Sequence, residues 1–156
     1  MKPVNSTTKL FRLMPALALS AALLTGCYNH SEGDHDPVAL GADLNVSGLQ
    51  LRSVLIVTSG QNEPGRVLGT IFNTTATDIQ MVLADSDEQL EVKIPALGHL
   101  GFDQSPLIFN TTQEPPGART DLQVRVKGQQ EIINVPIQNG TFDQYRPYIP
   151  SPSPSS

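Results

Sequence analysis

The chain has few of the side chains that form disulfides, redox centres and metal sites. Its 156 residues include one cysteine, no tryptophan, three histidines and three methionines. A single cysteine excludes an internal disulfide, so an apolar core must hold the folded part together. Only one histidine, His99, follows residue 36, and no G-x-S-x-G sequence accompanies it, which argues against a serine hydrolase. We therefore predict that the protein is not an enzyme.

The apolar run at residues 13–24 is too short to span a bilayer as a helix, which takes about 20 residues. The run carries no charge and follows a cationic start made by Lys2, Lys9 and Arg12. A cationic start followed by a short apolar run is typical of a secretory signal peptide. The sequence therefore predicts a signal peptide at residues 1–26.

The only cysteine stands directly after that segment, in the sequence Leu24, Thr25, Gly26, Cys27. These four residues resemble the bacterial lipobox, in which a branched apolar residue and two small residues precede a cysteine that is acylated and becomes the first residue. The alternative is an ordinary signal peptide that leaves a free thiol, which would mispair in an oxidising compartment. We predict that acylated Cys27 anchors the protein in membrane lipid, at the outer face of the bacterial cytoplasmic membrane.

Basic residues are scarce in the chain that remains after cleavage. Removing Lys2, Lys9 and Arg12 from the ten lysines and arginines leaves seven, against all 15 acidic residues, so the net charge is 7 − 15 = −8. So acidic a chain is not expected to bind nucleic acid or an anionic lipid surface through charge. At this length we expect one domain with a single core.

Residues 27–43 are polar and without periodicity, which predicts a flexible tether between the lipid and the domain. The tether contains His30 and His35 beside Asp34 and Asp36. Two imidazoles and a carboxylate could bind a divalent metal, but the spacing is loose and nothing nearby would fix the geometry. The favoured interpretation is a solvated linker.

Residues 44–138 show the period-two alternation of half-buried strands, in short segments separated by Gly, Pro, Asn or Asp. This pattern predicts an all-β domain, an antiparallel β-sandwich of the Ig-like kind. Pro136 predicts that the last strand is an edge strand or is bulged. The predicted strands are 49–58, 66–72, 78–84, 90–94, 97–102, 106–109, 122–126 and 132–137. The predicted core residues are Leu51, Leu55, Val57, Ile71, Val92, Val124 and Val135.

The C-terminal tail, residues 139–156, ends in the low-complexity sequence SPSPSS. Before it, Phe142, Tyr145, Arg146 and Tyr148 concentrate aromatic side chains in a protein that has few of them. The segment either packs back on its own sandwich or binds a membrane-protein partner, since Tyr and Arg are favoured interface anchors. Both interpretations remain open at this point.

Acidic residues cluster at Asp85, Asp87, Glu88 and Glu91. Paired carboxylates could perform acid and base chemistry. The favoured interpretation is a charged hairpin tip that keeps an exposed strand from pairing with other chains.

The order of strands and connecting sequences resembles the actinobacterial LpqE-like lipoproteins, distant relatives of the PCuAC-type periplasmic copper chaperones. The resemblance spans about residues 44–148. It includes an apolar strand ending in Asn73, a short polar loop, and Asp78 opening the next strand. The segments that carry it are LQLRSVLIV (49–57), GRVLGTIFNTTATDIQMVLADS (65–86), IPALGHLGF (94–102), VRVKGQQEIINVPI (124–137) and FDQYRPY (142–148).

The resemblance implies a cupredoxin-like sandwich and an accessory role beside respiratory oxidase machinery of the cytochrome bc1-aa3 type, or beside copper-handling proteins. The copper chaperones bind Cu(I) through methionines and histidines, including a His-x-Met pair, because soft ligands suit that ion. This chain has no such pair. Met81 shares a strand face with Ile79 and Leu83, which predicts a core position, and His99 is predicted on an outer face. We therefore predict a protein-interaction module without a cofactor, and keep a copper-binding chaperone as the alternative.

Overall fold

The computed structural model describes residues 41–151, and these residues form nine strands and one short 3₁₀ helix. None of the helical structure in this range is long and apolar enough to cross a membrane. The strands are β1 (Ala42–Val46), β2 (Leu49–Thr58), β3 (Glu63–Asn73), β4 (Ile79–Ala84), β5 (Gln89–Ile94), β6 (His99–Gly101), β7 (Leu107–Thr112), β8 (Arg119–Val126) and β9 (Gln129–Gln138), followed by the 3₁₀ helix η1 (Arg146–Tyr148).

The strands form two layers that share β9. One layer has the order β5-β4-β8-β9, with antiparallel neighbours throughout. In the other layer β9 is followed by β2, β3 and β6, while β1 pairs with β2 and β7 pairs with β3. The β2–β9 pairing is parallel and short, at Ile56 with Ile137 and Val57 with Gln138. The predicted all-β sandwich is confirmed, and the shared strand nearly closes it into one continuous sheet.

The core lies between the two layers and is built by strand alternation. From Leu122 in β8 and from Ile133 in β9 every second residue is buried, which brings an apolar row of each strand to the same face. Met81 is fully buried in this core, as the strand pattern predicted. The buried members contributed by these two strands are Leu122, Val124, Val126, Ile133, Val135 and Ile137.

A β-bulge at Ser53 changes which side chains of β2 point toward the core. Before the bulge the odd-numbered residues point inward, and after it the even-numbered residues do. The register with β3 shifts between Arg52 and Leu55, and Ser53 has φ 53°, the left-handed region that non-glycine residues seldom adopt. Opposite the bulge, Gly69 has φ 128°, and a Cβ there would lie 2.9 Å from the Arg52 carbonyl oxygen. Leu55 and Val57 therefore lie on the outer face, so their predicted position between the two sheets is wrong.

Other predictions about the fold need smaller corrections. Val92 is only half-buried, because β5 is the last strand of its layer and packs against the core from the edge. Strand β1 begins at Ala42, inside the segment predicted as tether. Pro136 does not make β9 an edge strand, because β9 lies between β8 and β2. Pro136 is the last β9 residue paired with β8, immediately before the pairing with β2 begins at Ile137.

Candidate functional site

The C-terminal segment packs on the outer face of β2 and β3. The bulge turns Leu55 and Val57 to this face, where Leu68 joins them, and Tyr145 covers all three. Only 9% of Tyr145 is exposed. The structure therefore has the contact of the first interpretation, in which the tail packs on its own sandwich, at least at Tyr145.

Tyr148 and Ile149 extend this outer cluster, and Arg66 of β3 contacts Tyr148. The Arg66 guanidinium carbon lies 5.1 Å from the centroid of the Tyr148 ring, a cation–π arrangement. The same guanidinium donates through Nη2 to the Asp103 carbonyl oxygen at 2.7 Å. Helix η1, which has Pro147 near its start, thus contacts β3 through Tyr148 and Arg66.

Of the four tail residues singled out from the sequence, Phe142 and Arg146 are exposed. Phe142 is 43% exposed, and its ring meets Tyr145 edge-on with centroids 6.2 Å apart. Arg146 Nη1 lies 2.9 Å from an Asp143 carboxylate oxygen, and Arg146 Nε donates to the Gly140 carbonyl oxygen at 2.9 Å. We call Phe142 and Arg146, seated on buried Tyr145, the tail surface. The tail surface exposes one aromatic ring, which contacts Tyr145, and one guanidinium, which contacts Asp143 and Gly140.

The metal candidates are not brought together in the described part of the chain. Met81 is fully buried in the core, whereas His99 is exposed and packs against Phe72 at a ring-centroid distance of 5.8 Å. Residues 41–151 contain no group of three or more His, Cys, Asp or Glu side chains placed to hold a metal ion. This donor set does not fit a copper centre within the described residues. His30, His35 and the predicted lipobox at Cys27 lie outside the described residues.

The acidic cluster at the β4–β5 turn ties the hairpin to β7. Asp85 Oδ1 accepts hydrogen bonds from the backbone N–H groups of Asp87 and Glu88, at 2.9 and 2.7 Å. The two carboxylate oxygens of Glu88 accept from the backbone N–H and the side-chain amide of Asn110, each at 2.7 Å. Gln113 donates to Asp87. The carboxylates of Asp85, Asp87 and Glu88 are thus each engaged in a structural contact.

The Asn73 to Asp78 segment is held by a buried amide and an ion pair. Asn73 is 3% exposed and donates through Nδ2 to the carbonyl oxygens of Thr77 at 2.8 Å and Pro95 at 3.0 Å. Its Oδ1 accepts from the backbone N–H of Thr75 at 2.9 Å. Asp78 forms an ion pair with Lys93, with 2.8 Å between Oδ2 of Asp78 and Nζ of Lys93. The hydrogen bond from Lys93, and then one from the Ala96 backbone N–H, lowers the pKa of Asp78.

A pocket of about 310 Å³ opens between β7 and β8, and sequence reasoning did not find it. Its floor is apolar, and its rim carries three carboxylates and one guanidinium. No sequence signal marks it, because its walls come from segments that only the fold brings together. The lining includes Ile56, Phe109 and Leu122 on the floor and Asp85, Glu114, Arg119, Asp121 and Asn134 at the rim.

Comparison with known proteins shows similarity of fold without similarity of sequence. No family model and no curated protein matches the chain. Its structure is similar to the apo PCuAC domain from PmoF1, with a TM-score of 0.50 and 10% identity, over 62% of this chain and 98% of that domain. The copper-bound PCuAC domain from PmoF2 matches with a TM-score of 0.47 and 9% identity, over 62% and 97%. The described domain therefore has the fold of the PCuAC sandwich.

Proposed function

We propose that the protein is a membrane-anchored, non-catalytic interaction module on the extracytoplasmic side of the membrane. In this proposal the tail surface binds a membrane-protein partner. The observation that carries it is the difference in exposure between two neighbouring aromatic residues of the tail. Tyr145 is buried against β2 and β3, whereas Phe142 next to it is 43% exposed.

The arrangement of the tail suits binding because little conformational entropy is left to lose. Tyr145 seats the segment on the sheet, Pro147 restricts its backbone, and Arg146 is already oriented by Asp143 and Gly140. A side chain that is ordered before docking loses less conformational entropy on binding than a mobile one, so less of the binding free energy is offset. Aromatic and arginine side chains are also the types that dominate interface energies.

Removal of the tail surface tests this proposal. The double variant Phe142→Ala with Arg146→Ala is expected to lose its partner in detergent co-purification from native membranes, while its melting temperature changes little. The matched control is Ile132→Ala with Lys127→Ala, which removes an exposed apolar residue and an exposed cation from the β8–β9 hairpin. Equal recovery of the partner with both double variants would contradict the proposal.

Membrane attachment in this proposal depends on Cys27, which stands in a sequence that resembles a lipobox. Cys27→Ser is expected to abolish acyl labelling and to leave uncleaved precursor or released protein. The measurement is metabolic labelling with a fatty acid, followed by fractionation of membranes. A serine variant that is processed normally and stays in the membrane fraction would remove the anchor from the proposal.

The resemblance to LpqE-like lipoproteins suggests that the partner is a component of a respiratory oxidase. Material that co-purifies with the protein is then expected to show the reduced-minus-oxidised absorbance bands of haem. A partner fraction without haem would direct the search to another class of membrane protein while leaving the tail surface in place.

Copper binding is the second candidate function, and the observation that favours it is the PCuAC-like fold. Any site would have to draw on His30, His35, His99 or Met81 in some combination. Competition titration of the full chain with Cu(I) tests this candidate. Stoichiometric binding at sub-micromolar affinity that is lost in His99→Ala or Met81→Leu would favour the chaperone over the interaction module.

A further inference from the structure

Half of strand β8 has a strand neighbour on one side only. In the described part of the chain, β4 pairs with β8 from Gln123 to Val126, and its last paired residue is Ala84. Residues 119–122 pair with β9 alone. In an antiparallel strand alternate residues direct their N–H and C=O groups to opposite sides. Two of these four residues therefore direct theirs away from β9, where no strand pairs with them.

The pocket lies along this free edge. Four consecutive residues of β8, Arg119 to Leu122, line it. Side chains of consecutive residues point to opposite faces of a strand, so a cavity lined by all four borders the edge of the strand and not one face. Four residues at about 3.4 Å each give an edge of about 14 Å. We call this pocket and its edge the β8 slot.

The opposite wall of the β8 slot is β7, and the β4–β5 turn stands at its mouth. Phe109 and Thr112 of β7 line the slot together with Asp85 and Ser86 of the turn. The turn is fixed to β7 by the two hydrogen bonds between Glu88 and Asn110. These hydrogen bonds attach the turn at the mouth of the slot to the wall formed by β7.

The rim of the β8 slot is acidic. Asp85, Glu114 and Asp121 line it, against one cation, Arg119. The guanidinium of Arg119 is engaged by the side-chain and backbone oxygens of Asn134, and Asn134 Nδ2 in turn donates to Asp121 Oδ1 at 2.6 Å. A ligand that brings positive charge matches this excess of carboxylates.

We propose that the β8 slot binds an extended basic peptide segment of another protein, which adds as a strand to the free edge at residues 119–122. Backbone hydrogen bonds would supply the register, and the acidic rim would select lysine or arginine side chains flanking the strand. The site is separate from the tail surface and does not depend on the function proposed for it.

Backbone pairing is tested with a synthetic probe, acetyl-Lys-Val-Lys-Val-Lys-amide, titrated into the full chain and followed by backbone NMR shifts. Strand addition uses only the alternate amides that face β8. Two probes N-methylated on the two alternate sets should therefore differ, one losing binding at least about tenfold and the other binding as the parent does. The shifts should centre on residues 119–122. Equal binding of both methylated probes, or shifts centred elsewhere, would overturn strand addition.

The acidic rim is tested on the protein side. Glu114→Gln with Asp121→Asn should weaken binding of the basic probe about threefold or more, because two carboxylates are lost. The matched control is Glu91→Gln with Glu131→Gln, which removes two exposed carboxylates of β5 and β9 outside the slot and should leave binding unchanged. A probe with glutamate in place of lysine should not bind. Equal weakening by both double variants, or binding of the glutamate probe, would overturn selection by the rim.

Discussion

At the scale of single residues, Asn73 fixes the connection between the two layers of the sandwich. Asn73 is the last residue of β3, and its side chain forms hydrogen bonds with the loop that leads to β4. Its Nδ2 also donates to the Ile94 carbonyl oxygen at the end of β5, at 3.2 Å. An amide suits this position because it donates and accepts at once, whereas a carboxylate only accepts. The asparagine belongs to the segment that resembles a family pattern, but its partners at Ile94 and Pro95 could not be predicted, because these residues are distant along the chain.

Asn73→Asp is expected to lower the free energy of unfolding by about 2–4 kcal/mol, because carbonyl oxygens that now receive a donor would face a buried carboxylate. Urea denaturation measures the change. Asn139→Asp is the control: the Asn139 side chain accepts from the Thr141 N–H at 3.0 Å, a role that aspartate also fills. A loss of equal size in both variants would show that the donor function of Asn73 is unimportant.

The ion pair of Asp78 with Lys93 predicts a dependence on pH at both extremes. Because the pKa of Asp78 is lowered, its contribution to stability is present above the ordinary aspartate pKa of about 4 and is lost as pH falls through the lowered value. Because the side-chain hydrogen bond to Asp78 raises the pKa of Lys93, the contribution of Lys93 is present below about pH 10.4 and is lost as pH rises through the raised value.

Carboxyl NMR titration checks this at low ionic strength, where an exposed pair is least screened. In Lys93→Ala the pKa of Asp78 should rise toward its ordinary range. Arg146→Ala, which removes a cation paired with Asp143, should leave it unchanged. An Asp78 pKa that is the same with and without Lys93 would show that the pair does not form in solution.

At the scale of elements, periodicity predicted β2 well but misplaced half of it. The bounds 49–58 agree with the structure, because the segment is apolar and bordered by turn residues. The bulge could not be predicted, since Ser53 has no sequence feature that marks a positive φ. Once the bulge is known, the outward row of Leu55 and Val57 requires a cover, and the aromatic residues of the tail supply it.

Tyr145→Ala is expected to lower the free energy of unfolding by about 2–3 kcal/mol, because it uncovers Leu55, Val57 and Leu68. Phe142→Ala, at a neighbouring ring that is 43% exposed, should cost less than about 0.5 kcal/mol. Chemical denaturation of the two variants side by side gives the comparison. A stable Tyr145→Ala protein would show that the tail does not rest on β2 and β3 in solution.

At the scale of the whole molecule, fold class followed from the sequence but neighbour relations did not. Alternation predicts that the chain forms many short strands with one apolar face, so it predicts the sandwich, although β1 and the outward facing of Leu55 and Val57 were not predicted. The parallel pairing of β9 with β2 and the β8 slot both arise from segments far apart in the chain, which no local pattern encodes. The described metal candidates are the converse case. Met81 and His99 are conspicuous by residue type, yet Met81 is buried in the core on β4, whereas His99 is exposed on β6 in the other layer.

Two isoleucines of β9 provide a matched test of the joint between the layers. Ile137 is fully buried where β9 pairs with Ile56 of β2, whereas Ile132 on the same strand is 59% exposed. Ile137→Ala should cost about 2–5 kcal/mol of unfolding free energy, and Ile132→Ala within about 0.5 kcal/mol of zero. Thermal and urea unfolding measure both. Similar costs would mean that β9 is not placed between the layers as described.

The sharing of β9 also bears on how the molecule opens. A protein whose sheets are separate can expose one of them while the other stays intact, and its amides then exchange with deuterium in two sets. Here β9 belongs to both layers: it pairs with β8 in one layer and with β2 in the other. Unfolding of β9 therefore disrupts hydrogen bonds of both layers. The slowest amides of the two layers should therefore exchange at one common rate, through a single cooperative unfolding event.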